Sequence, residues 1–161
     1  MADALTEAGI CFKREHHVSF ACWDGSFARA DFIVTEGGGV LLQETDEHQH
    51  AHYGILCEVS RMTKIHTAMA IEGSTLPVGI IRYNPHPFYI DGVCQKVRTK
   101  DRLNALVKVI NDWEHGDKGS LQIQYMYYDC HTVGGDLVLD IWNSEEYSQE
   151  VQKCCRSPIV K

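Results

Sequence analysis

The residues best suited to chemistry in this chain lie between Ala28 and His50. The order is Arg29-Ala30-Asp31-Phe32-Ile33-Val34-Thr35, then Glu36-Gly37-Gly38-Gly39, then Val40-Leu41-Leu42-Gln43-Glu44-Thr45-Asp46. Two apolar runs around a glycine turn predict a β-hairpin. A turn centred on Gly37-Gly38 sets Asp31 opposite Glu44 and Arg29 opposite Asp46. Opposed residues of an antiparallel pair face the same way with Cβ atoms roughly 5 Å apart. Strand alternation adds Asp46 to that face. Carboxylates brought this close repel, and a divalent cation with oxygen ligands is the natural compensation. Asp31, Glu44 and Asp46 are therefore candidate ligands for Mg²⁺ or Mn²⁺. A bound divalent ion activates water and polarises a phosphoryl oxygen, which is the chemistry of phosphodiester hydrolysis.

Other readings of the same spacing stay open. The acids could line a solvated edge where water and salt screen them, or Arg29 could neutralise one of them. In this register Ile33 and Leu42 share the carboxylate face, and Phe32, Val34, Leu41 and Gln43 take the other. A hairpin apolar on both faces is expected inside a sheet rather than at its edge. His50 follows closely and titrates near neutral pH, so it is a candidate general acid or base. Gln49 could position water or phosphate. His48, His50 and His52 invite a zinc reading, which the polar, non-strand character of the run weakens.

The elements that must position these residues can be read in outline. Residues 3–9 predict a short helix stopped by Gly9, and Ile10 to Trp23 a strand. A helix from Tyr53 to Ile71 follows the acids. It carries apolar Ile55, Leu56, Val59, Met62, Ile65 and Met69, with Arg61 and Lys64 as candidate phosphate contacts. A local Glu58–Arg61 pair is the alternative role for Arg61. Leu76 to Tyr83 is an apolar strand ended by Asn84-Pro85. Arg82 and Asn84 would then share the strand end where ligands gather in a parallel crossover, against a turn-forming role for Asn84-Pro85. Phe88 to Gly92 predicts a short extended piece with a turn. Thr99 to Trp113 is an amphipathic helix. Leu121 to Tyr128 and Leu137 to Trp142 are strands, and Ser144 to Cys155 a closing helix. Cys57 is expected to be buried. Tyr125 and Tyr127 are expected to share a face, and with Tyr128, Trp113 and Trp142 to serve the core. The fold class is α/β, a central mixed β-sheet flanked by helices in one domain over residues 1–161.

Composition bounds the function. The 161 residues are 44% hydrophobic and 23% charged, as in ordinary soluble domains. There is no apolar run of about 18 residues that would span a membrane. The first residues carry acid and no basic stretch, so they do not read as a signal peptide. Seven cysteines, with no Cys-x-x-Cys pair, fit reduced thiols in the cytoplasm or nucleus. The net charge of −7 weighs against tight nonspecific DNA binding, although a binding face is local.

Arg29-Ala30-Asp31-Phe32, Glu44-x-Asp46-Glu47-x-Gln49-His50, Cys57-Glu58-x-x-Arg61-Met62 and Ile81-Arg82-Tyr83-Asn84-Pro85 together resemble a known pattern. It is that of the restriction-endonuclease-like superfamily, named for its Pro-Asp…(Asp/Glu)-x-Lys motif, on the side of the very-short-patch-repair endonucleases. The similarity runs roughly from Leu5 to Tyr128. It implies a sheet with a helix on each side and Mg²⁺-dependent hydrolysis of DNA. Asp31 matches the central aspartate and Glu44 the acid of the second half. Asp46 stands where the superfamily usually has lysine, and His50 is the matching position for a histidine that takes over. A further acid from the first helix would be Asp3 or Glu7, with Glu15 on the first strand as another candidate. Relatives of this fold act as homodimers or in larger complexes. The alternative is a nuclease-fold module that binds nucleic acid or a protein partner without cutting.

Overall fold

The computed structural model describes residues 1–20, 26–36, 38–50, 55–71, 76–90, 92–116, 121–129 and 136–140. A short helix α1 (Ala2–Glu7) leads into β1 (Lys13–Ser19), β2 (Phe27–Glu36) and β3 (Gly39–Thr45). These strands form an antiparallel meander. A 3₁₀ turn (Glu47–His50) and α2 (Ile55–Ile71) carry the chain to β4 (Val78–Tyr83), parallel to β3. A small hairpin, β5 (Phe88–Ile90) with β6 (Val93–Gln95), precedes α3 (Thr99–Asn111). Then β7 (Leu121–Met126) runs parallel to β4, and β8 (Asp136–Asp140) closes the edge antiparallel to β7. Among the described residues the sheet has six strands in the order β1-β2-β3-β4-β7-β8. The mixed sheet between helices is the architecture the sequence predicts.

The helices divide between the two faces. Met62, Ile65, Ala68 and Met69 of α2 pack with Ile33, Val40, Leu42, Ile80 and Ile123 on one face. Leu5 of α1 and Leu106 and Ile110 of α3 pack with Phe32, Val34, Leu41, Ile81 and Met126 on the other. Alternate residues of β3 and β4 thus enter opposite layers, and every residue of β4 is buried. That is why these strands read as near-continuous apolar runs. No described helix is long and apolar enough to cross a membrane.

Two expectations are corrected. Cys57 is exposed, in the first turn of α2 ahead of Met62, Ile65, Ala68 and Met69, which enter the core. Tyr125 and Tyr127 do not share a face. Tyr127 has φ of +64°, which breaks the alternation after β7. Tyr125 and Tyr128 enter the α2-side core with ring centroids 5.0 Å apart, and Tyr127 packs on the α3 side. The closing helix expected over 144–155 and Trp142 lie outside the described residues.

Candidate functional site

The hairpin has the register that its glycines predict. Phe32 lies opposite Gln43 and Ile33 opposite Leu42, which sets Asp31 level with Glu44. Side-chain direction is another matter. Ala28 and Ala30 face the α2-side core, Phe32 faces the α3 side and Ile33 faces α2 again. The alternation therefore breaks at Asp31, beside Glu15 of β1 with its φ of +51°. The Asp31 carboxylate turns to the backbone, where Oδ2 accepts the Thr45 N–H at 2.8 Å. It acts there as an acceptor for the end of β3. Arg29 lies opposite His17 and pairs with Glu15 at 2.8 Å, away from Asp46.

Glu44 points to the α2 side and is 5% exposed. Arg61 reaches it from α2 with a two-pronged fork: Nη1 donates to Oε2 at 2.9 Å and Nη2 to Oε1 at 3.2 Å. Such bidentate pairs are the stronger kind of charge-assisted hydrogen bond. Burial raises the Glu44 carboxyl above its ordinary value, Arg61 and Arg82 pull it back, and Asp46 adds to the rise. The Arg61 side chain is 29% exposed against 7% for Glu44, so Arg61 is the member that meets solvent.

Asp46 is fully buried. Its backbone N–H donates to Tyr83 O at 2.8 Å, extending the β3–β4 ladder by one residue. Its Oδ2 accepts from Arg82 Nε and from the Tyr128 hydroxyl. Arg82 is as deeply buried, and its Nη1 lies 3.6 Å from Met62 Sδ. Burial works against the Arg82 charge, but Asp46 together with Tyr128 and Tyr125 outweighs it and holds the guanidinium protonated well above its ordinary value. Glu44, Arg61, Arg82 and Asp46 form one network of two acids and two arginines. It stands at the carboxyl ends of β3 and β4, the edge where parallel strands gather ligands.

The remaining candidates brace this edge. Asn84 is buried, and its Nδ2 donates to Tyr127 O at 2.7 Å and His86 O at 3.2 Å, while its Oδ1 accepts the His86 N–H at 3.0 Å. Its amide is committed to the turn. Gln49 Nε2 donates to Asp129 Oδ1 at 2.9 Å, and Asp129 N–H returns a bond to Gln49 Oε1 at 2.9 Å. His48 stacks on His86 with centroids 3.9 Å apart. Lys64 Nζ stands 5.8 Å from the centre of the Phe20 ring. The side chains of His50 and Glu58, and all of His52, lie outside the described residues. Asp3 and Glu7 sit on α1, which packs on the opposite face of the sheet from Glu44.

One brace escaped the sequence reading. Arg102 is buried, and its Nη1 donates to Asn84 O and His86 O, both at 2.8 Å. Its guanidinium lies 4.7 Å from the Tyr127 ring centre and 5.4 Å from that of Phe88. The signal was available: Arg102, Leu106 and Ile110 fall at four-residue steps on one helical stripe.

The structure brings Glu44 and Asp46 together and leaves Asp31 apart. The three acids as folded do not make a cradle for a divalent cation. Asp31 serves the Thr45 amide, both Glu44 oxygens are held by Arg61, and Asp46 is enclosed with Arg82 and Tyr128. Among the described residues no group of three His, Cys, Asp or Glu is placed to hold a metal. No protein-family model matches this chain, and no curated protein or solved structure is significantly similar to it.

Proposed function

We propose that the carboxyl edge of β3 and β4 is the working edge of a DNA endonuclease of restriction-endonuclease-like fold. The observation that carries this reading is the asymmetry of the charge network. Asp46 and Arg82 are sealed, whereas Arg61 sits at the rim with its fork on Glu44. A guanidinium fork matches a phosphate as well as it matches a carboxylate. In this proposal a phosphodiester draws Arg61 away, and the buried Glu44 carboxylate loses its main compensating charge. Its proton affinity then rises further. Glu44 becomes the proton acceptor for an attacking water, and Asp46–Arg82–Tyr128 holds the strand ends rigid beneath it. The cation that the resemblance implies, Mg²⁺ or Mn²⁺, would need Arg61 to leave Glu44 first. DNA is the proposed partner, and the cytoplasm or nucleus the compartment.

A second reading has a specific observation behind it. Both acids are already neutralised by arginines, which suits a module that binds a phosphodiester without cutting it. Incubation of supercoiled, linear and single-stranded DNA with Mg²⁺, Mn²⁺ or EDTA separates the two. Metal-dependent nicking that disappears in Glu44→Ala supports the enzyme. Binding without cleavage, weakened in Arg61→Ala, supports the module. Neither cleavage nor binding would discard both.

A further inference from the structure

The hairpin β5–β6 stands apart from the main sheet as a two-stranded ribbon of its own. Its root is fastened to the carboxyl edge of β3 and β4. Asn84 to Pro87 joins it to β4, and Arg102 Nη1 donates to the His86 carbonyl at 2.8 Å. The Tyr89 N–H donates to Asp129 Oδ1 at 2.6 Å, the same oxygen that accepts from Gln49 in the turn after β3. One face of the ribbon is anchored inward. Phe88 is buried beside Tyr127, with ring centroids 5.6 Å apart, and against the Arg102 guanidinium.

Strand alternation turns the neighbours of Phe88 to the other face. Tyr89 lies opposite Cys94, so the two share that face, and both are exposed, Tyr89 at 50%. Val93 at the tip is 62% exposed. Large side chains left in solvent together on one small element mark a contact surface. Charge selects its partner. The whole chain carries −7, yet residues 92–100 hold Lys96, Arg98 and Lys100 and no acid. Arg98 is paired with Asp101 at 2.7 Å, while Lys96 and Lys100 are exposed and make no ion pair among the described residues. Two uncommitted cations beside an exposed tyrosine suit a polyanion that also presents bases, since Lys and Arg on phosphates supply most of the affinity for nucleic acid.

A two-stranded ribbon fits the major groove of duplex DNA, which is about 12 Å wide. Resting on the reading of the β3–β4 edge as a DNA site, we propose that the β5–β6 hairpin enters the major groove of the duplex held at that edge. Tyr89 and Cys94 face the base edges, and Lys96 and Lys100 take phosphates of the flanking backbone. Phosphate contacts position a protein and base contacts specify its site. The hairpin therefore supplies both, and the β3–β4 edge the chemistry.

The test is fluorescence anisotropy of a labelled duplex with the whole protein, with Tyr89→Ser, with the double variant Lys96→Gln/Lys100→Gln and with Arg61→Ala. It is repeated on a duplex whose major groove is filled by glucosylated hydroxymethylcytosine. The wild type should bind the plain duplex and lose about tenfold on the glucosylated one, as for the loss of a base contact. The double lysine variant should bind several-fold more weakly, with a salt slope reduced by about two contacts. Tyr89→Ser should weaken binding several-fold and lose part of the discrimination between the two duplexes. The substituted side chains are exposed, and circular dichroism confirms that the variants fold. Hairpin variants that bind as the wild type does, while Arg61→Ala is weakened, would overturn this proposal, leave the edge reading standing and assign the exposed face to a protein partner. Equal binding of the two duplexes would likewise overturn the major-groove placement. No duplex binding by the wild type would overturn the hairpin and the edge together.

Discussion

The two ends of the same parallel strands are built on opposite principles. At their carboxyl ends, β3 and β4 carry charge into the core through Glu44, Asp46 and Arg82. At their amino ends they carry glycine. A Cβ at Gly79 would come within 2.6 Å of the Trp113 ring and 2.7 Å of Leu41 Cδ1, and one at Gly39 within 2.1 Å of the His115 ring. The segment after α3 lays its rings directly on the strand backbone, which only glycine permits. One end is closed by volume, the other by charge balance. The first should tolerate no added methyl, and the second no loss of a single partner.

The largest expected effect is at the charged end. Arg82→Met leaves Asp46 buried without its cation and should cost about 3–5 kcal/mol, as for other broken buried pairs. Denaturant melts measure it. Adding Asp46→Leu to Arg82→Met should recover part of the loss, because the stranded charge is then gone. A smaller loss is expected at the glycine end. Gly79→Ala should cost about 1–3 kcal/mol through overpacking. Trp113→Leu should relieve that cost in the double variant, and additive losses would break the contrast between the two ends.

Within the charged end the two arginines differ in exposure. Arg61→Ala should destabilise by only about 1 kcal/mol, because Arg61 is partly exposed and Glu44 can take up a proton instead of remaining charged. The smallest effect is in pH dependence. Burial raises the Glu44 carboxyl above 4.5, with the two arginines opposing. The folded state thus holds this proton more tightly than the unfolded chain does. Its contribution to stability is present below the ordinary value and is lost as pH rises through the raised one. The stability of the wild type relative to Glu44→Gln should therefore fall with rising pH across that interval. A difference that grows with pH would reverse the assignment.

Much of this could be read from residue types, and the failures have physical causes. The glycine turn fixes the pairing by counting, so Phe32 does face Gln43. The parallel crossover brings Arg82 and Asn84 level with the acids, as apolar strand–helix–strand spacing implies. Counting assumes unbroken alternation, and the break at Asp31 depends on the backbone twist at Glu15, which no residue type announces. Arginine partners are equally hard to foresee. Arg61 spans from another layer to Glu44, and long side chains choose among several acids within reach. Trp113 over Gly79 was half legible. The tryptophan suited the core, but nothing in the sequence joins it to a glycine on a strand far away.

Under the proposed function Arg61, and not Arg82, is the arginine that exchanges its carboxylate for phosphate. The direct measurement is fluorescence anisotropy of a labelled DNA duplex, titrated at several salt concentrations with wild type and Arg61→Ala. Weaker binding by the variant is expected, with a salt slope reduced by about one contact. Superimposable curves for the two proteins, with Arg61→Ala shown to be folded, would contradict it.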